Sequence, residues 1–178
     1  MGKVLCSVAT YKRYDTTLPL VLQAVANQTR IPDKVLICDD NDEPQDLRQN
    51  FVYQSIFRLF DQKGIDWQVI FAPKKGQQHI HQIANTFGYE YVWRVDDDCI
   101  PESNVLENLY SEIGNYGAVG GSILTPGQVQ KTEKSTGLIE NIDSEHNIQW
   151  GYIRRFKEVQ HLHCSFLYRA GLHDYALG

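Results

Sequence analysis

From Lys3 to Leu124, short apolar runs of strand character alternate with segments of helical period, and this rhythm narrows the possible folds more than any other feature. Lys3 to Thr10 reads as a strand. Leu18, Val21, Leu22 and Val25 then recur at i, i+3, i+4 and i+7, one face of an amphipathic helix. The apolar run Lys34 to Asp39 is a second strand. Pro44 is expected to open a second helix, with Val52, Ile56, Leu59 and Phe60 on one face and an end near Gly64. Asp66 to Phe71 gives a third strand, and Ile80, Ile83, Ala84 and Phe87 mark a third helix. Tyr91 to Val95 is a fourth strand that runs into Asp96-Asp97-Asp98. After Pro101, Leu106, Leu109, Tyr110 and Ile113 fall in helical phase, and Ala118 to Leu124 reads as a short strand.

Such alternation, with strands that are apolar throughout, implies an α/β domain with a mostly parallel central sheet covered by helices on both faces. A chain of 178 residues suffices for one such domain with a real core, and 42% apolar with 22% charged content is ordinary for a folded protein. Ligands of these sheets bind beyond the carboxyl ends of the strands. Thr10-Tyr11, Asp39-Asp40 and Asp96-Asp97-Asp98 all fall at such ends and are therefore expected on a single rim. Thr125 to Asn147 is polar and without period, which fits a functional lid or a disordered loop. Gln149 to Ile153 and Leu162 to Tyr168 are candidates for further strands.

Several function classes lose support. The formal charge of −5 disfavours a field-driven nucleic-acid binder, so no nucleic-acid partner is expected. No apolar run approaches the roughly 20 residues that span a bilayer, and the N-terminus enters a strand with no cleavage site after it. Cys6, Cys38, Cys99 and Cys164 form no Cys-x-x-Cys pair, so neither a zinc site nor a disulfide framework is signalled. Cys6 and Cys38 read as small core residues, and a reducing, cytoplasmic compartment is expected. There is no Gly-x-Gly-x-x-Gly after the first strand, no P-loop and no Gly-x-Ser-x-Gly elbow.

The rim residues carry the chemistry. At the end of an extended segment, residues i and i+2 point to one side, so Asp96 and Asp98 are expected to converge while Asp97 turns away. Two carboxylates so close repel unless a cation or proton lies between them. Hard oxygen ligands suit Mg²⁺ or Mn²⁺, completed by water and substrate phosphates. The alternative is a solvated acidic turn at the start of the next helix. One carboxylate of Asp39-Asp40 would accept a base N–H such as the imide of uracil, or else Asp39 and Asn41 would bond their own backbone in a turn. Tyr11 suits stacking on a base, and Arg13 suits phosphate or ribose. Lys74, Lys75 and Gly76 precede a helix whose N-terminal amides favour anions. His79 and His81 fall on different faces of that helix, and His161 and His163 would share a face of a later strand.

Taken in order, these segments resemble the family-2 glycosyltransferases of the GT-A fold. The resemblance rests on Val8-Ala9-Thr10-Tyr11-Lys12-Arg13, then Leu20-Gln23-Ala24-Val25-Gln28-Thr29, then Val35-Leu36-Ile37-Cys38-Asp39-Asp40. It continues with Gly76 and its helix, and with Tyr91 to Asp98 leading to Pro101. It implies one GT-A-like domain over residues 1–178, a UDP- or GDP-type nucleotide-diphosphate sugar donor, and a saccharide or other hydroxyl acceptor. It implies a nucleotide pocket of Thr10, Tyr11, Arg13, Asp39, Asp40, Gly76, His81 and Asp96, with Mn²⁺ or Mg²⁺ on Asp96 and Asp98. His81 departs from an arginine found in many members. The catalytic base of inverting members falls beyond Gly178, and Asp174 is a weak substitute; the chain is therefore expected to stop short of the acceptor segment. A catalytically inactive donor- or glycan-binding module is the competing expectation. A receiver domain would need its acidic pair after the first strand, and a nucleotidyltransferase would carry a Gly-rich loop there.

Overall fold

A computed structural model describes residues 2–73, 75–114, 116–120 and 165–170. The elements run β1 (Val4–Thr10), α1 (Leu18–Ala26), β2 (Lys34–Asp39), α2 (Phe51–Lys63), β3 (Asp66–Phe71), α3 (Gly76–Asn85), β4 (Tyr91–Asp96), α4 (Val105–Glu112), β5 (Ala118–Gly120) and β6 (Ser165–Arg169). They form one six-stranded sheet in the order β3-β2-β1-β4-β6-β5. The first four strands are parallel; β6 enters antiparallel between β4 and β5. This is the mostly parallel α/β architecture that the alternation implies.

Period-two patterning divides the core. Val4, Cys6, Val8, Val35, Ile37, Trp93 and Val95 face α1, α2 and α4, joined by Leu18, Val21, Leu22, Tyr53, Phe57, Phe60, Leu106 and Leu109. Leu5, Leu36, Cys38 and Val92 face the other way, against Ile80 and Ala84 of α3. Helices therefore cover both faces, and Cys6 and Cys38 are buried as expected. Each buried Val, Leu, Ile or Phe among them contributes roughly 1.5–3 kcal/mol by leaving water.

The second helix departs from its sequence reading. Pro44 does not open it. A 3₁₀ turn, Leu47–Gln49, intervenes, and α2 starts at Phe51 after Asn50, whose side chain accepts from the Val52 amide at 2.9 Å. The later start leaves Val52 half-exposed and buries Tyr53, Ile56, Phe57 and Phe60. A good N-cap at Asn50 outweighed the generic preference for Pro in a first turn. At its far end Gly64 takes a left-handed φ of 71°, the C-cap that the sequence placed there.

Two facts about this sheet position the site. Strand order proceeds outward from β1 to β3 on one side and then jumps to β4 on the other, so a topological switch point lies between β1 and β4. The register also levels the tips, with Thr10 opposite Asp39 and Ala9 opposite Asp96. Among the described residues, no helix is long and apolar enough to cross a membrane.

Candidate functional site

The crevice at the switch point collects the residues expected on one rim. Thr10, Asp39 and Asp96 end three adjacent parallel strands, and the segments after them turn over the same edge. Sheets of this type bind ligands at this place.

After β1 the chain turns sharply. Lys12 has φ 57°, a left-handed conformation unusual for a residue with a side chain. Its amide donates to Asn41 Oδ1 at 2.7 Å, and the Tyr11 amide donates to Asp97 Oδ2 at 3.1 Å. The Tyr11 ring stays about half-exposed, with Lys12 Nζ 4.9 Å from its centroid. Arg13 reaches Asp98 at 3.4 Å, both side chains being about half-exposed. Tyr14 turns inward; its hydroxyl donates to Asp39 Oδ2, while its carbonyl accepts from Tyr53 of α2 at 2.6 Å.

Asp39 is enclosed. Besides Tyr14, its Oδ1 accepts the Asn41 amide at 3.0 Å and Asn41 Nδ2 at 2.7 Å. The local turn weighed as the alternative for Asp39 and Asn41 is thus present. Of about four lone-pair sites on the carboxylate, three are engaged. Burial first, and then the bond to Asp39, push the Tyr14 phenol well above its ordinary range.

Asp40 points elsewhere. Its Oδ1 accepts the amides of Lys75 at 2.8 Å and Gly76 at 3.2 Å, capping α3 from the neighbouring strand. The N-terminal amides expected to face a diphosphate are held by a carboxylate of the chain itself. Gly76 sits at φ 74°, where a side chain would strain the backbone. His81 lies in the second turn of α3, partly exposed. Lys74, His161, His163, Cys164 and Asp174 lie outside the described residues, as does the candidate strand Gln149 to Ile153.

The acidic triplet splits three ways. Asp96 pairs with Arg94, which is 8% exposed, at 3.1 Å; Asp97 bridges to the β1 tip; Asp98 meets Arg13. Asp97 was expected to turn away from the rim, yet it ties β4 to β1 across the switch point. Burial raises the Asp96 carboxyl above its usual range, Arg94 opposes this, and the nearby Asp98 charge adds to it. Burial likewise raises Asp97, against the bond from the Tyr11 amide.

Beyond the triplet, buried Gln28 fixes the next loop. Its Nε2 donates to the carbonyls of Ala24 at 3.1 Å and Glu102 at 2.7 Å, and its Oε1 accepts the Leu106 amide at 3.0 Å. The Thr29 amide adds a bond to the Ser103 carbonyl at 2.7 Å. The end of α1 thereby clamps the start of α4.

The sequence pointed to Asn41 only as a turn partner of Asp39, not as a support for the β1 turn, and it did not point to Tyr14. A short amide side chain directly after two aspartates at a strand tip was the available signal for Asn41. Nothing local marked Tyr14.

Among the described residues, no group of three or more His, Cys, Asp or Glu is placed to hold a metal ion. The donor set still suits one. The Asp98 charge adds to the cost of ionising Asp96, and hard carboxylate oxygens in an incomplete set match a cation that takes its remaining ligands from substrate and water.

A mostly parallel α/β sheet with an acidic, arginine-bearing rim at its switch point is the arrangement of a GT-A type domain, and the family match agrees with it. The chain belongs to glycosyl transferase family 2, whose family model matches residues 6–177. Among solved structures it is similar to mannosyltransferase PcManGT from Pyrobaculum calidifontis in complex with GDP-Man and Mn²⁺, with TM-score 0.52 and 16% identity over 73% of this chain and 38% of that one. It is also similar to S. aureus TarS, with TM-score 0.48 and 19% identity over 70% of this chain and 23% of that one. For TarS 1-349 in complex with UDP-GlcNAc the values are 0.47 and 18%, over 65% and 32%. The chain thus spans well under two thirds of each of these proteins. Comparison with curated proteins finds no match.

Proposed function

We propose that residues 1–178 form one nucleotide-sugar-binding domain of a glycosyltransferase that passes a sugar from a nucleoside diphosphate to an acceptor hydroxyl. The observation that carries this reading is the meeting of the β1, β2 and β4 tips at one edge, with an aromatic ring, an arginine and three aspartates gathered there. Membership of glycosyl transferase family 2 supports it. So does the GDP-Man and Mn²⁺ complex of the Pyrobaculum calidifontis structure, as a precedent on a similar fold.

In this reading Tyr11 offers its exposed face to the base. Thr10 and Asp39 close the pocket beneath it, and the remaining lone-pair site of Asp39 takes a base N–H. Arg13 is held near the crevice by a weak, solvent-exposed pair with Asp98 and exchanges that partner for the diphosphate. Asp40 and Gly76 set one wall through their mutual bond, with His81 behind them. Asp96 and Asp98 would hold Mn²⁺ or Mg²⁺, with Asp96 also near the ribose. Such an ion supplies Lewis-acid neutralisation of the leaving diphosphate. Transfer is inverting: an acceptor hydroxyl, deprotonated by a carboxylate, attacks the anomeric carbon opposite the departing nucleoside diphosphate.

A thermal-shift panel of UDP and GDP with and without Mn²⁺ tests the assignment, since a ligand bound only by the folded state stabilises it by mass action. The expected result is a nucleotide shift enlarged by Mn²⁺, with the enlargement lost in Asp98→Ala and the fold retained. An unchanged Mn²⁺ increment in that variant rejects the metal assignment. Metal-dependent binding without donor hydrolysis or transfer would favour a non-catalytic donor-binding module.

A further inference from the structure

We propose that Asn41 is the positioning residue of the donor pocket, the side chain that sets the turn presenting Tyr11 and Arg13. The proposal rests on the donor-site reading above and names a residue that reading does not use.

Asn41 is 6% exposed, and its side-chain amide and backbone amide bond to the two strand tips and the turn after β1. Oδ1 accepts the Lys12 amide at 2.7 Å; Nδ2 donates to Asp39 Oδ1 at 2.7 Å, with the Thr10 carbonyl at 3.5 Å. Its backbone amide returns to Asp39 Oδ1 at 3.0 Å. One amide side chain thus joins the β1 turn to the enclosed Asp39.

The bond to Lys12 carries the weight of the inference. A non-glycine residue at φ 57° persists only where its surroundings hold it. The Lys12 side chain is exposed, lying over the Tyr11 ring, so the hydrogen-bonded restraint comes through its backbone. Tyr11 and Arg13 flank it, so this dihedral helps to set their directions, alongside the bonds of Tyr11 to Asp97 and Arg13 to Asp98. The same Asn41 fixes the orientation of the Asp39 carboxylate against Tyr14. Base stacking, base polar recognition and the arginine are therefore registered to one another through a residue that need not touch the ligand.

The test uses the full chain, with UDP and GDP as probes in calorimetry and hydrogen exchange of the Lys12 amide in the ligand-free protein. Asn41→Ala removes the acceptor. Lys12→Pro removes the same bond from the exposed side, since proline has no amide hydrogen and cannot adopt positive φ, and leaves the bonds between Asn41 and Asp39 in place. Each variant is expected to weaken binding of the preferred nucleotide about tenfold, the scale of one or two lost hydrogen bonds. In Asn41→Ala the Lys12 amide should also lose its protection while circular dichroism stays unchanged. If Asn41→Ala does not fold, Lys12→Pro decides the matter. Wild-type affinity in both variants, with the Lys12 amide unprotected in Asn41→Ala, overturns this assignment alone. Protection retained in Asn41→Ala overturns it as well. Failure of the wild-type protein to bind either nucleotide overturns the donor-site reading and this assignment together.

Discussion

Removing the Asp40 carboxylate should unfasten the start of α3. In the wild-type protein one oxygen of Asp40 takes the amides of Lys75 and Gly76, at 2.8 and 3.2 Å, from a strand more than thirty residues earlier. Residue Lys75, at the N-cap position, makes no side-chain cap bond of its own, so Asp40 acts as the cap from outside the helix. Loss of a capping side chain costs roughly 1 kcal/mol, and loss of a negative charge beside a helix N-terminus about 0.3–1 kcal/mol more. Asp40→Ala should therefore cost about 1.5 kcal/mol. Asp40→Asn, which keeps an acceptor oxygen but not the charge, should cost about 0.5 kcal/mol. For a domain of this size the alanine variant corresponds to a fall in Tm of about 5 °C. Urea and thermal unfolding followed by circular dichroism give the stabilities. Hydrogen exchange at Lys75 and Gly76 locates the effect, which should be confined to the α3 start. Equal stability of Asp40→Ala and wild type, with equal protection of those two amides, would refute the reasoning.

Gln28→Ala strands the buried Leu106 amide and removes the donor from two carbonyls, so it should cost about 2–3 kcal/mol in urea unfolding, while Gln28→Glu should be only partly tolerated. Burial raises Tyr168 and Cys38 to about 12, and both are neutral when protonated. The folded state therefore holds their protons more tightly than the unfolded chain. That stability is complete below the ordinary values and is lost as pH rises toward about 12, which tyrosinate absorbance and circular dichroism should register as one cooperative alkaline transition. Iodoacetamide at pH 8 should leave Cys6 and Cys38 unmodified in the native protein and modify both in urea, read by peptide mass spectrometry. Gly64→Ala places a side chain at left-handed φ with no neighbour to clash, so its cost should be the conformational term alone, about 1 kcal/mol.

The parts of this structure that were legible in the sequence are those written in local pattern. β2 and β3 match their expected ranges residue for residue; β2 is apolar because it is buried on both sides, while β3, at the sheet edge, keeps Asp66 and Gln68 among its apolar residues. The convergence of Thr10, Asp39 and Asp96 followed from parallel topology, which puts every strand end on the same side. What local pattern does not encode is which partner each polar group finds. Asp40 and the α3 amides are joined by a helix, a loop and a strand, and only assembly brings them together. Tyr14 meets Asp39 across a similar gap. The start of α2 differs for a related reason: Pro44 and Asn50 both signal a helix start, and in the structure Asp46 caps a separate 3₁₀ turn while Asn50 caps the helix.

The antiparallel entry of β6 bears on how the molecule is made. As the polypeptide leaves the ribosome, β1 to β4 can zip together in order, but β5 has no strand to join until Ser165–Arg169 emerges. For that interval β4 is a bare edge, offering its amides and carbonyls to any passing chain, with the acidic loop dangling from its end. Substitutions at Leu167 or Trp93, which face each other in this late seam, should thus reveal themselves as nascent-chain aggregation in the cell well before they alter any binding constant in the test tube.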